Sequence, residues 1–364
     1  MIDQIIKSIF ILVSTVIGLG IFVLPYTALK SGIFFYFWLI IIPILVLIFH
    51  LVYGEIIFQV EEKHNLPSLV ARIINSKLKL PIWLIDFLGL MMVFVVYLVV
   101  IEEIINHSLN LSFYFKPLLA LFIFFILSFK NNFFSKLDSL LAIFLIVFIL
   151  VLSGYLLTKV NIKNLLPFDA NFVFSYGIIL FSFTGYHSLQ IIYDLLGKDK
   201  FNFIRVNILS LFFVFLIYLL YTLTVLGTIG PEIDVLSLFS LIKYLNINYL
   251  NYLILILFLL SILTTFISLA YYLKRGLIVD FRFKENISWL TIGLSIILIS
   301  FFDFSNVMKL INFIGSLFIG LNLILILFCY LKLKEIKYFN IPKIIVYIMI
   351  VIFSLGWLMG LITE

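Results

Sequence analysis

Runs of about twenty apolar residues follow one another along this chain, joined by short polar connections, and each run is long enough to cross a bilayer as a helix. With 65% hydrophobic and only 12% charged residues, a soluble globule of 364 residues could not hide its apolar surface. The sequence therefore predicts an all-α polytopic membrane protein. Eleven spans result, at roughly 5–29, 33–57, 81–106, 113–130, 137–158, 173–193, 206–230, 251–273, 287–304, 308–331 and 341–361. The split between the ninth and tenth, around Asp303, is the least marked. The first run has no small-residue cleavage site before Lys30 and is read as a retained span, not a signal peptide.

The net charge of +6 comes from basic residues scattered through the connections, where they set topology and do not form a nucleic-acid surface. With the N-terminus inside, 18 of the 24 lysines and arginines fall on the cytoplasmic side, including Lys63 and Lys130, and 6 fall outside. The N-terminus is accordingly expected in the cytoplasm and Glu364 outside, in a cell (plasma) membrane. A single cysteine, Cys329, excludes intramolecular disulfides and cysteine metal clusters. No Gly-rich Lys-Ser/Thr loop for a nucleotide is present, so direct use of ATP by this chain is not expected.

Within the first span, Gly18-Leu19-Gly20 places two glycines at membrane depth, each costing about 1 kcal/mol relative to alanine in a helix. One explanation is a break at Gly18 to Gly20, with an outer half-helix starting near Ile21 whose N-terminus receives a carboxylate. The other is close packing of a neighbouring helix. The sixth span repeats the pattern in Phe181-Ser182-Phe183-Thr184-Gly185-Tyr186-His187-Ser188. Spans one to five (about 5–158) and six to ten (about 173–331) then form two oppositely oriented blocks, each opening on an interrupted helix, with an extra helix at about 341–361. Such a 5+5 inverted repeat is a signature of secondary transporters. Between spans two and three, Leu66, Leu69, Val70, Ile73 and Ile74 have the spacing of a short amphipathic helix at the cytoplasmic interface. The outer connection from Pro231 to Asn251 is long enough to dip inward as a lid.

Ile17-Gly18-Leu19-Gly20-Ile21-Phe22 with Leu24-Pro25 resembles the first helix of amino-acid permeases of the amino acid-polyamine-organocation superfamily. Tyr53-Gly54-Glu55 is similar to their Tyr-Ala-Glu. The stretch from Phe181 to Lys200, then Ile217-Tyr218-Leu219-Leu220 and Leu226-Gly227-Thr228-Ile229-Gly230, looks like helices six and seven of the amino acid/auxin and aromatic amino-acid permease branch. Gly197-Lys198-Asp199 departs from the Asn-Pro or Asp-Pro that many permeases carry there. The resemblance implies the leucine-transporter-type fold with helices 1 and 6 broken. It implies that the N–H groups of Leu19 and Gly20, beside Gly18 and Ile21, hold a substrate carboxylate. Carbonyls near Val16 and from Phe181 through Ser182 to Phe183 would hold its ammonium, with Thr184, Gly185 and His187 at the second break. Ser261, Thr264 and Thr265, with freed carbonyls of Ser14 and Ile17, resemble that fold's sodium site. Against this, Ser and Thr in membrane helices commonly bond their own helix backbone.

Tyr97 would face the site and gate it from outside, or simply pack between helices. His187, placed as the one histidine well inside a span, either lines the pocket, relays a proton or ties down the broken backbone. Glu55, Glu102 and Glu103 lie near span ends and are expected to be solvated or paired with backbone. The 42 phenylalanines are mostly lipid-facing bulk and say nothing about substrate. The reading is a secondary active transporter for a neutral or aromatic amino acid, coupled to H⁺ or Na⁺ and needing no cofactor. Its partners are a small-molecule amino acid and the lipid bilayer; the sequence leaves oligomeric state open. The alternative is a permease-shaped sensor that binds an amino acid without moving it. An intramembrane enzyme would need a nucleophile and base, or a His/Asp cluster at depth, and the sequence offers none.

Overall fold

The computed structural model describes residues 2–60, 65–109, 115–128, 131–165, 171–246, 248–302 and 306–362. Lys63, Lys130, Asp303 and Glu364 lie outside the described residues. All regular structure among those described is helical. The first predicted span is two helices, α1 (Ile2–Val16) and α2 (Gly20–Ser31), bent by 52° at the residues between them. Gly32, at φ 54°, turns the chain directly into α3 (Ile33–Gln59). A short helix, α4 (Leu66–Ile73), leads to α5 (Lys79–Leu109), α6 (Lys116–Ile126) and α7 (Asn131–Leu157). The sixth predicted span is again in pieces: α8 (Phe174–Phe183), a 3₁₀ turn at Tyr186–Ser188, and α9 (Leu189–Leu196).

Then follow α10 (Lys200–Ile229), α11 (Leu238–Leu245), α12 (Asn248–Phe281) and α13 (Glu285–Ile299). α14 (Val307–Phe313) continues through a π-helical stretch, Ile314–Ile319, into α15 (Gly320–Leu331), and α16 (Lys343–Ile362) ends the chain described. Among the described residues, six helices are long and apolar enough to cross a membrane singly, and the bent α1–α2 pair is a seventh when taken as one span. The other four of the eleven predicted spans are shorter apolar helices, in α6, α7 and α13, or the interrupted α8–α9. Helix ends also differ from the predicted edges. α10 begins at Lys200, not near 206, because the Asp199 carboxylate accepts the Asn202 N–H at 3.0 Å and caps it. α12 runs to Phe281, beyond the predicted 273, since an apolar count stops at Lys274 and Arg275, which the helix carries paired with Glu285 and Asp194.

Small residues bring the central helices together, as expected where lipid gives no hydrophobic drive for association. α2 lies on α8 with Gly20 against Ser182: a Cβ on Gly20 would stand 2.5 Å from Ser182 Oγ and 2.9 Å from its Cα. Gly177 of α8 meets Gly315 of the π-helical stretch backbone to backbone. The glycines of the first span therefore serve both functions considered for them, since the helix breaks there and a neighbour packs on it.

Polar contacts close the two ends of the bundle. The predicted amphipathic helix exists as α4, but it buries Leu66, Leu69 and Val70 against α5 and α15. At its start, the Asn65 N–H donates to Asp280 Oδ1 at 3.0 Å. At the opposite end α11 folds inward as the predicted lid, burying Leu238, Leu241 and Leu245. The Ser237 hydroxyl before it donates to the Phe22 carbonyl of α2 at 2.8 Å. Glu55, fully buried in α3, is paired with backbone as expected. Its carboxylate accepts the N–H groups of Lys337 (2.6 Å), Tyr338 (2.8 Å) and Phe339, and the Gln59 amide at 2.5 Å. This clamp pins the connection between α15 and α16 to α3. Glu55→Ala, which strands three donors, should destabilise the folded protein by about 2–4 kcal/mol, read as a lowered midpoint of thermal unfolding in detergent.

Candidate functional site

Both broken helices converge on one place. At the first break, α1 makes its last regular turns with the Ile17 N–H on Val13 O, and the Gly18 N–H then reaches only to Val16 O at 3.0 Å. α2 starts at Gly20, and its first backbone bond is the Phe22 N–H on Leu19 O at 3.1 Å, so the N–H groups before Phe22 precede its intrahelical ladder. At the second break, Thr184 adopts an extended conformation (φ −77°, ψ 116°) and its N–H and hydroxyl both fall back on Leu180 O. The Tyr218 hydroxyl of α10 joins the two: it lies 2.8 Å from Val16 O and 2.9 Å from Ser182 O, one proton shared by two carbonyls.

A narrow cleft with a free volume of about 50 Å³ opens beside these breaks. Thr15, Val16, Gly18, Leu19 and Gly20 line it from the first break, and Phe181, Ser182, Thr184, Tyr186 and His187 from the second. Apolar walls come from Leu90, Val93 and Tyr97 of α5, Leu269 of α12, and Ile314, Phe318 and Ile319 of the π-helical stretch. π-Helical turns recur at functional sites because they misalign the helix surface.

One end of the cleft is polar. Asp86 of α5, 2% exposed, accepts hydrogen bonds from Tyr186 Oη (3.1 Å) and Asn322 Nδ2 (3.0 Å) at Oδ1, and from Tyr272 Oη (3.0 Å) at Oδ2. Asn322 also donates to Tyr186 Oη at 2.9 Å. His187 stacks on Tyr186, with ring centroids 3.9 Å apart, and its Nε2 sits 3.8 Å from Asp86 Oδ1. Neither His187 Nε2 nor Asn322 Oδ1 has a hydrogen-bond partner among the described residues.

Of the residues singled out from sequence, Val16, Gly18, Leu19, Gly20, Tyr97, Phe181, Ser182, Thr184, His187 and Thr265 are brought to the cleft. Ile21, Phe183 and Gly185 are not on its wall. Ile21 is fully buried, Phe183 packs edge-on against Tyr218, and Gly185 faces Val16 and Leu12. In the candidate cation set, Thr265 stands directly against Gly18, whose added Cβ would be 2.8 Å from Thr265 Oγ1. The Thr264 and Thr265 hydroxyls both donate to Ser261 O, at 3.0 and 3.1 Å, and Ser14 Oγ donates to Ile11 O. Ser261 Oγ is buried without a partner among the described residues. Ile17, like Ser14, lies off the cleft wall.

Polar residues of the site that were not singled out include Thr15, Asp86, Tyr186, Tyr272 and Asn322. Asp86 is a lone charge about two turns into α5, and its neighbours from α12, α15 and the second break are distant in sequence, so only the fold assembles the cluster. His187 is also not the only deep histidine. His50 is fully buried in α3, its Nδ1 2.8 Å from Asn207 Oδ1 of α10. Glu102 is backbone-paired as expected, accepting the Phe115 N–H at 2.7 Å, and Glu103 is exposed.

Residues 1–236 match the sequence profile of the tryptophan/tyrosine permease family. No curated protein matches the sequence significantly. Among solved structures, a mutant of the manganese transporter of Eremococcus coleocola superposes with a TM-score of 0.71 at 13% identity, over 99% of this chain and 86% of that one. MhsT in complex with L-phenylalanine gives 0.65 at 14% identity, over 96% and 98% of the two chains. Mhp1, a nucleobase-cation-symport-1 family transporter in a closed conformation with bromovinylhydantoin bound, gives 0.63 at 12%, over 98% and 89%. At these identities the likeness concerns the fold, which is the leucine-transporter type.

The break and its packing can be separated from general helix effects by two glycines. Gly20→Val, driven into Ser182, should abolish ligand binding and uptake while the protein still inserts. Gly154→Ala on α7, where an added Cβ meets nothing within 4 Å, should leave both unchanged; radioligand binding to purified protein measures the contrast.

Proposed function

The chain belongs to the tryptophan/tyrosine permease family, and we propose that it carries a neutral or aromatic amino acid across the membrane by alternating access, driven by H⁺ or Na⁺. The observation that supports this reading is the cleft shared by two unwound backbones. A zwitterion has one group for each kind of free backbone atom. The substrate carboxylate would take the N–H groups at Leu19 and Gly20, where the α2 dipole adds its positive end. Its ammonium would take the second lone pairs of the Val16 and Ser182 carbonyls, which Tyr218 already holds in range of one another.

The side chain would lie among Leu90, Val93, Tyr97, Phe181 and Phe318, a wall suited to an apolar or aromatic group. The family description and the phenylalanine bound to MhsT agree with that substrate class. For a sodium ion, the candidate oxygens are those of Thr264, Thr265 and Ser261 with carbonyls at the first break. The step itself would be a rocking of one bundle against the other around the two broken helices.

Uptake of a set of labelled amino acids into proteoliposomes, with Na⁺ and H⁺ gradients imposed separately, tests the proposal. Accumulation above equilibrium under one gradient is the expected result. Saturable binding with no flux under either gradient would replace transport by the sensor reading, and neither binding nor flux would exclude amino acids as the ligand.

A further inference from the structure

A carboxylate inside a membrane-spanning bundle is costly to keep charged and marks a functional position by default. The groups facing Asp86 come from several elements: Tyr186 and His187 from the second break, Tyr272 from α12 and Asn322 from α15. Tyr53 of α3 lies one ring further out, its centroid 6.4 Å from that of Tyr186. The charged groups further along α12 are engaged elsewhere. Arg275 pairs with Asp194 of α9 at 3.0 Å, and Asp280 accepts from Asn65. The three hydrogen bonds to Asp86 all come from neutral donors. The basic group that approaches it is the imidazole of His187, at a separation too long for a hydrogen bond and with Nε2 otherwise unpartnered among the described residues.

We propose that Asp86, served by His187, is the site at which the coupling proton is carried through the membrane. This rests on the transporter reading above and names its driving ion. The two breaks hold the substrate's carboxylate and ammonium, which leaves Asp86 at the polar end of the same cleft for the ion. A proton from water on the side to which the cleft opens forms an N–H bond on His187 or an O–H bond on Asp86. One O–H bond of the donating hydronium breaks as that bond forms, and on the other side the N–H or O–H bond breaks as water takes the proton back as hydronium. Asp86 stands on α5, whereas Tyr186 and His187 belong to the second break. Any movement of that break therefore changes the donors around the carboxylate. Protonated, the cluster is uncharged and can be closed off from water; ionised, it needs its three donors and access to water.

The test uses the full-length protein in proteoliposomes with a pH-sensitive dye outside. Wild type should take up protons on addition of substrate and accumulate substrate under an inward proton gradient. Asp86→Asn should lose both at least tenfold. Tyr272→Phe removes one donor from the ionised form and should move the pH midpoint of uptake upward by about half a unit or more, which decides the matter if Asp86→Asn does not assemble. Gradient-driven accumulation retained in Asp86→Asn, an unmoved midpoint in Tyr272→Phe, or wild-type uptake driven by Na⁺ with no proton movement would each overturn the proton site while leaving the transporter standing. Wild-type protein that neither exchanges nor accumulates any amino acid would remove the transporter reading itself.

Discussion

In hydrocarbon an unpaired backbone carbonyl or N–H has no water to fall back on, so each broken helix here must be completed by the protein around it. Tyr218 does this for both breaks with one hydroxyl, set between Val16 O and Ser182 O. The proton of one phenol cannot fully satisfy two carbonyls, and each keeps lone-pair capacity. The site is therefore held in shape and left short of donors on the carbonyl side. The start of α2 is short of acceptors. A ligand that brings a carboxylate and an ammonium removes both deficits at once.

That arrangement depends on how closely the half-helices approach. Where lipid is as apolar as the side chains, association comes from packing and polar contacts, and small residues let backbones come near. Gly20 against Ser182, Gly18 against Thr265 and Gly177 against Gly315 bring α2, α12 and the π-helical stretch around the breaks. The helical cost of Gly18 and Gly20 is thus offset twice, by the unwinding they allow and by the contact they permit.

The features legible in the sequence were those carried by local pattern. Gly18-Leu19-Gly20 and the polar run through Thr184-Gly185 stand out inside apolar stretches, and both breaks fall there. The lid after Pro231 and the helix at Leu66–Ile73 were legible from spacing, though α4 turned its apolar face to the protein and not to the interface, because α5 and α15 offered a dry surface. The Asp86 cluster was hidden for a physical reason. A single acidic residue near a helix end reads as solvated, and only the crossing of α5, α12, α15 and the second break encloses it. His50 was passed over likewise, since its partner Asn207 lies on α10. The three N–H groups that hold Glu55 come from the connection after α15, a pairing that backbone conformation alone sets.

The two ends of the cleft are closed by different kinds of contact. Beyond the first break, α11 seals the bundle with buried leucines, the stacked pair Phe22 and Phe258, and one hydrogen bond from Ser237 to Phe22 O. Beyond Asp86, the closure is polar, with Arg275 on Asp194 and Asn65 on Asp280. The partly exposed Arg275–Asp194 pair exchanges for water at about 1 kcal/mol or less, whereas the buried Asn65–Asp280 bond and the α4 face of Leu66, Leu69 and Val70 must be uncovered for this end to open. The apolar end opens only by exposing the surface that α11 covers. With the substrate held at the breaks as proposed, the balance between these two closures would set which side the cleft meets. A charge appearing or disappearing on Asp86 acts on the polar closure alone.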